Sequence, residues 1–413
     1  MNARPANTPL RVELWGFSSV DSAKPAICLI VNSSKETAVK IENHNSRTVT
    51  ERLQCTLGAV LLATAAMAGT AQAQVPESIY QEMKKIGQIV DPACTAKLYR
   101  PFMPANDYNS SANPLYPGVN LARDVSFGPN PLDLVDVFSA ASGPANRTVL
   151  IYVPGGGGNK IEQQNREANA FYDNIGRWAT KNGMVAAIMQ RHGGPGWDTG
   201  AKDVSTLIQW LQANVAKYQG NADRMFIWAH SAGNRPVGTY IGRPELYGPK
   251  GAGLKGAILM SGTWNAAPLP AANFSPNQIR GAGRTCGSGG PGSAEGVIKG
   301  PSAMTPPPAG ADGPPGPGAP LNAQTLLEQS TLPALKQTNV SLLFASAELD
   351  PGIEGGMSAF YQALSDELCK AGKNKCPTML YAKRHNHMSL VFSPDSPDTS
   401  VSKPVLDFIR SVK

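Results

Sequence analysis

Arg224-Met-Phe-Ile-Trp-Ala-His-Ser-Ala-Gly-Asn234 is the stretch on which the reading of this chain turns. It opens as a short apolar run of strand character and ends in Ala229-His230-Ser231-Ala232-Gly233, beyond which a helix is expected. Small residues two before and two after Ser231 let strand and helix pack closely through a sharp turn, which lifts the serine hydroxyl above a sheet edge. The pentapeptide is a G-x-S-x-G nucleophile elbow with alanine in place of the first glycine. Such a short match is weak by itself, so the rest of the chain must supply the partners.

The surrounding sequence alternates between apolar runs and helical spacing. Strands are expected at 124–128, 132–140, 148–153, 184–191, 224–230, 256–262, 341–349 and 378–384. Helices are expected at 76–90, 163–182, 203–219, 233–242, 355–371 and 404–412. Short apolar runs separated by helices mean parallel strands covered on both faces. The fold class is therefore α/β: a doubly wound, mostly parallel, eight-stranded sheet. The rhythm breaks at residues 281–320, where 12 Gly and 9 Pro among 40 positions leave too little apolar surface for a core. That insertion reads as a solvent loop, or alternatively as a mobile cover over the catalytic face.

Ser231 needs a base, an acid that orients it, and donors for an oxyanion. Beyond residue 73 the histidines are His192, His230, His385 and His387. In the serine, acid, histidine order of doubly wound hydrolases the base follows the serine, which leaves His385 and His387. Strand alternation puts both on one side, so spacing does not choose between them. Leu343-Phe-Ala-Ser-Ala-Glu-Leu-Asp-Pro351 runs off the preceding strand and offers Glu348 and Asp350. Asp350, at the strand's mouth before a Pro-Gly turn, is the better acid. Gly155 to Gly158 follow the strand 148–153 and Pro154, where backbone N–H groups can point into a site unobstructed. No G-K-[ST] follows, which disfavours a phosphate loop. Gly156, Gly157 and the amide of Ala232 are the expected oxyanion donors.

These residues, in this order, resemble the α/β-hydrolase superfamily, and more narrowly its esterase/lipase branch of bacterial carboxylesterases and feruloyl-esterase-like enzymes. Met189-Gln-Arg191, Asp203-Val204, Trp210-Leu211, Tyr218 and Asp223-Arg224 are similar to that branch's pattern ahead of the elbow. The likeness covers about residues 124–265 and, less closely, 340–412. It implies hydrolysis of carboxylic esters through Ser231, Asp350 and a histidine, and His387-Met-Ser389 matches the branch's histidine context better than His385 does. One departure stands out: Pro154 occupies the place of the histidine in the branch's His-Gly-Gly-Gly. Peptidase or acyltransferase chemistry on the same residues is the alternative, with a catalytically inactive binding module behind it.

Other candidates carry less. His192 and Trp197, in His192-Gly-Gly-Pro-Gly-Trp197, are possible linings of a substrate cleft, Asp203 reads as a structural carboxylate at a helix start, and His230 is expected to pack beneath the elbow. No metal-ligand spacing occurs and no cofactor is implied. The net charge of +7 is spread without a Lys/Arg run, so nucleic acid is not an expected partner; a small-molecule or polymer-derived ester is.

Residues 49–73 read as a signal peptide. An apolar run from Leu57 to Ala68 precedes Ala71-Gln72-Ala73, which predicts cleavage after Ala73 and a periplasmic or secreted protein without a stable membrane anchor. The polar residues 1–48 are expected to be a non-native or disordered leader, with translation starting at Val49, and 74–413 the hydrolase domain. Export makes disulfides possible, and Cys369 with Cys376, seven apart around a Lys/Gly/Asn turn, is the expected pair. Cys94 with Cys286 is possible but not deducible.

Overall fold

Along Met225-Phe-Ile-Trp-Ala229 every side chain is apolar, which a strand tolerates only where both faces of its sheet are covered. In the structure, a computed structural model that describes residues 74–104, 115–156, 171–192, 197–262, 264, 323–351, 353–372 and 375–413, both faces are covered. The strands are β1 (Val119–Ser126), β2 (Leu134–Ala140), β3 (Arg147–Val153), β4 (Val185–Met189), β5 (Gly220–His230), β6 (Gly256–Met260), β7 (Ser341–Leu349) and β8 (Thr378–Asn386). They form one eight-stranded sheet in the order β1-β2-β4-β3-β5-β6-β7-β8. β2 runs against both its neighbours, and every other pairing is parallel. The fold class read from the sequence is the one observed.

Alternation along β5 sends Phe226 and Trp228 to one face and Met225, Ile227 and Ala229 to the other. The first face is covered by α1 (Glu77–Ile86), α2 (Pro92–Tyr99), α3 (Asp173–Lys181) and α10 (Ser402–Ser411). The second is covered by α4 (Thr199–Asn214), α5 (Asn234–Ile241) and α8 (Ile353–Leu368). Short helices α6 (Ala323–Glu328), α7 (Leu332–Leu335) and α9 (Ser389–Phe392) complete the described chain. No described helix is long and apolar enough to cross a membrane.

Several boundaries differ from expectation for physical reasons. β1 starts at Val119 rather than at 124, and its polar face is occupied: Arg123 reaches Asp136 at 3.1 Å and Asp173 at 2.6 Å. Asp124, at φ +49, sits in the register shift between Ala122 and Val125. α4 begins at Thr199, so Asp203 lies a turn inside the helix and not at its start. A 3-10 turn, Val215–Tyr218, follows α4 and ends at left-handed Gln219. Cys369 and Cys376 are joined in a disulfide just beyond α8. Cys286, the signal segment 49–73, the leader before it and the insertion 281–320 lie outside the described residues, as does 163–170 of the helix expected ahead of Asn182.

Arg224 locks the elbow strand to the chain's last helix. Its Nε donates to Thr148 Oγ1 at 3.0 Å, while Nη1 and Nη2 donate to the carbonyls of Val412 at 2.8 Å and Ile409 at 2.9 Å. A cation on carbonyls at a helix C-terminus satisfies acceptors the helix itself cannot, and a charged hydrogen bond is worth about 1.5–3 kcal/mol. Arg224→Met is therefore expected to speed amide hydrogen exchange in the last turns of α10 by about tenfold or more, through local opening. Unchanged α10 protection would show the clasp to be dispensable.

Candidate active site

The C-terminal ends of β3, β5, β7 and β8 meet at one edge of the sheet, where ligand sites of open α/β sheets form. β5 ends at His230, and Ser231 follows at φ +52, a left-handed conformation that costs a non-glycine residue about 1–3 kcal/mol. Ser231–Gly233 makes a single 3-10 turn that leads into α5. The turn is held by Asn234, whose Nδ2 donates to the carbonyls of Ser231 at 2.9 Å and Met260 at 2.7 Å.

Glycines make this geometry possible. A Cβ on Gly233 would stand 2.6 Å from the Val153 carbonyl oxygen and 2.7 Å from that of Pro154. One on Gly155 would stand 2.6 Å from Ser231 Cβ and 2.9 Å from the His230 carbonyl oxygen. The end of β3 and the elbow are thus packed backbone to backbone. On the far side, Arg191 donates through Nε to the Pro154 carbonyl at 3.3 Å and through Nη2 to the Gly156 carbonyl at 2.7 Å. Gly156, at φ +59, turns the chain there. Gly157 lies outside the described residues, so of the expected oxyanion donors the structure describes Gly156 and Ala232.

Asp350 and His387 are brought together. His387 Nδ1 lies 2.9 Å from Asp350 Oδ1, and both side chains are fully buried. Nδ1 beside a carboxylate carries the proton, which leaves Nε2 as a lone pair; Nε2 is buried and has no hydrogen-bond partner among the described residues. Asp350 is fixed through its other oxygen, which accepts from Ser261 Oγ at 2.5 Å and from the Ala347 amide at 2.7 Å. Glu348, the other candidate acid, is engaged elsewhere: it accepts from Tyr80 Oη at 2.6 Å and the Arg384 amide at 2.7 Å. These bonds, the tyrosine's first, hold its carboxyl below the usual carboxylate range.

The two downstream histidines, which spacing could not separate, differ sharply in the structure. His385 uses both nitrogens: Nδ1 is 2.9 Å from Ser389 Oγ and Nε2 is 2.7 Å from Ser400 Oγ, with Asp398 3.4 Å from Nε2. Burial lowers its affinity for a proton, against the pull of Asp398. An unbroken strand would put both histidines on one side, whereas Arg384 at φ +64 bends β8 and the strand ends at Asn386.

The remaining candidates fall nearby. His192 is buried, with Nε2 2.9 Å from Asp133 Oδ1 and 3.4 Å from Asp203 Oδ2. Asp133, His192 and Asp203 place ligand atoms within 4.8 Å of one another, a group able to hold a cation, although histidine–carboxylate bonding already accounts for it. Trp197 is half-buried, with the Arg243 guanidinium 5.0 Å from its ring centre. A groove of about 620 Å³ near Tyr247, Lys250, Lys255 and Asn339 lies by the starts of β6 and β7, at the other edge of the sheet. It touches none of the candidate residues, and the chemistry of the groups decides the site here rather than the size of a groove. Sequence reasoning did not reach Ser261, Asn234 or the hold of Arg191 on the glycine turn; a serine directly after β6, between the elbow strand and the Asp350 strand, was the available signal.

No protein-family model matches the chain, and no curated protein matches it. Among solved structures it is similar to an esterase from the archaeon Pyrobaculum calidifontis, at 14% identity and TM-score 0.46 over 78% of this chain and 90% of that one. An esterase of the bacterial hormone-sensitive lipase family aligns at 13% identity and TM-score 0.46, over 82% and 99%. A carbohydrate esterase from gut microbiota aligns at 12% and 0.44, over 75% and 98%. Likenesses this distant carry no weight for the chemistry, which rests on how Ser231, Asp350 and His387 are held.

The contact between Gly155 and the elbow can be tested directly. Gly155→Ala is expected to destabilise the protein by about 1–3 kcal/mol, the usual cost of overpacking, despite alanine's smaller loss of backbone entropy. Urea unfolding monitored by tryptophan fluorescence measures this, and a midpoint at or above wild type would show that the elbow has room to spare.

Proposed function

We propose that the chain is an exported serine hydrolase that cleaves carboxylic esters through Ser231, His387 and Asp350. The observation that carries this reading is the buried Asp350–His387 bond, which leaves His387 Nε2 unpaired at the sheet edge where Ser231 is held in a strained turn. A fully buried imidazole with one nitrogen fixed by a carboxylate and the other spare has the electronic arrangement of a general base.

The reaction follows from these parts. Ser231 Oγ attacks the ester carbonyl carbon as its proton passes to His387 Nε2. The carbonyl π electrons move to oxygen, which the amides of the glycine turn and of Ala232 stabilise, Gly156 and Gly157 being the proposed donors on the turn. The tetrahedral species collapses, the alkoxide leaves with the proton from Nε2, and an acyl-serine remains. Water, giving its proton to the same nitrogen, attacks the acyl carbon and releases the acid while Ser231 recovers its proton. Asp350 faces the imidazolium that forms in each half-reaction.

Export is proposed from the sequence: the apolar run to Ala68 and the Ala71-Gln72-Ala73 site support a mature chain beginning at Gln74. The substrate is proposed only by class, as a small or polymer-derived carboxylic ester.

A fluorophosphonate probe should label Ser231, as read by peptide mass mapping, and Ser231→Ala should abolish labelling. His387→Ala should lower kcat on a p-nitrophenyl ester on the order of 10⁴–10⁶-fold. His385→Ala, which removes a saturated structural ring, should chiefly lower thermal stability. Loss of turnover in a well-folded His385 variant, with His387→Ala still active, would reverse the assignment.

A further inference from the structure

β5 and β8 are separated in the sheet by β6 and β7, roughly 14 Å at the usual strand spacing, so no ladder connects the elbow to the strand that leads to His387. Among the described residues, one side chain spans the gap directly. His230 Nε2 lies 2.9 Å from the main-chain carbonyl oxygen of His387, and the two rings pack with centroids 4.7 Å apart at 46°. Because a carbonyl can only accept, Nε2 carries the ring proton and Nδ1 is a bare acceptor. That acceptor is buried with no partner among the described residues, and it faces the turn at Gly155, whose added Cβ would lie 3.3 Å from it.

A buried unsatisfied acceptor destabilises the fold, and an apolar side chain of similar volume would avoid that cost. Something must offset it, and the bond to His387 is what the ring makes. We propose that His230 is a positioning residue: from the position next to the nucleophile it fixes the main chain and ring of His387, so that nucleophile and base are set relative to each other through this contact. The proposal rests on the roles assigned to Ser231, His387 and Asp350 in ester hydrolysis. His230 spends its ring N–H on the His387 carbonyl and so acts through His387 rather than on substrate.

Burial, and next the proximity of His387, hold the His230 ring well below the usual imidazole range, so it stays neutral. Neutrality matters for the same role. A neutral ring can lie against the imidazolium that forms on His387 in each half-reaction, whereas a second cation at that distance would repel it.

The role separates a hydrogen-bond donor from mere bulk. In the full chain, His230→Leu keeps comparable volume without the donor, and His230→Gln supplies an amide N–H of similar reach. His230→Leu is expected to lower kcat on a p-nitrophenyl ester by about 10- to 100-fold with KM within about twofold, the scale of a misplaced catalytic group. His230→Gln should recover most of that loss. In parallel, the low-field proton NMR signal of the His387–Asp350 bond, assigned by its absence in His387→Ala, should persist in wild type and His230→Gln. It should shift or broaden in His230→Leu. If the leucine variant does not fold, His230→Asn, too short to reach the carbonyl, takes its place. Wild-type kcat and an unmoved signal in the donorless variant would overturn the proposal, and so would a glutamine variant as impaired as the leucine one. A wild type that shows the signal but turns over no ester would defeat the hydrolase reading alone, and the NMR response of the variants would still decide the role of His230.

Discussion

The structure depends on a place where there is no room for a side chain. Gly233 lies over the carbonyls of Val153 and Pro154, and Gly155 lies against Ser231 and the His230 carbonyl. This contact forces the chain around Ser231 into its left-handed turn, and the covered sheet holds the strain. It also ties three segments together. The end of β3 cannot shift without moving the elbow, and Arg191, from beyond β4, grips the same Pro154 carbonyl from the other side. Where the related sequence pattern has a histidine, Pro154 contributes only a carbonyl and a fixed φ, and a cation from the neighbouring strand end supports the turn instead.

Much of this was legible because burial on both faces leaves a plain mark. β5 is apolar from Met225 to Ala229 and β7 over most of its length, and β7 was read to the residue, Ser341–Leu349. β1 was half hidden because its inward polar groups serve an ion pair, and Arg123 between Asp136 and Asp173 reads in sequence as loop chemistry. The start of α4 was missed because Thr199-Gly200 suggests a turn, and helices as short as α7 and α9 carry too few residues for periodicity to show. At the site, the residue types were visible while their main-chain partners were not. Nothing in the letters 384–387 reveals that Arg384 leaves the strand conformation or that the strand ends at Asn386, between His385 and His387.

The contrast between these two histidines is one of saturation. Ser389, His385 and Asp398 include the same residue types as the proposed catalytic set, with His385 joining the other two. Every ring nitrogen of His385 is already engaged, and Ser389 Oγ also accepts from the Asn386 amide and donates to the Asn386 carbonyl. Such a group has no lone pair to lend. It stiffens the loop beyond β8, with Asn386 Nδ2 reaching Thr95 in α2 at 2.9 Å, and so holds the ground on which His387 stands. His387 differs in keeping one ring nitrogen unspent, and that is what lets a buried polar cluster do chemistry.

The segment that opens the described chain adds a constraint of timing. Val75 is buried, its carbonyl accepts from Arg384 at 3.3 Å, and Glu77 pairs with the same arginine at 2.8 Å. Cleavage after Ala73, as proposed, would make Gln74 the new amino terminus, directly before this buried anchor. A processing enzyme needs several extended residues on each side of the bond it cuts, so the docking of Val75 and the removal of the leader compete for the same stretch of chain. With a cut at that bond, removing the leader before the first helix settles beside β8 would make maturation a step on the folding route rather than a trimming of the finished protein.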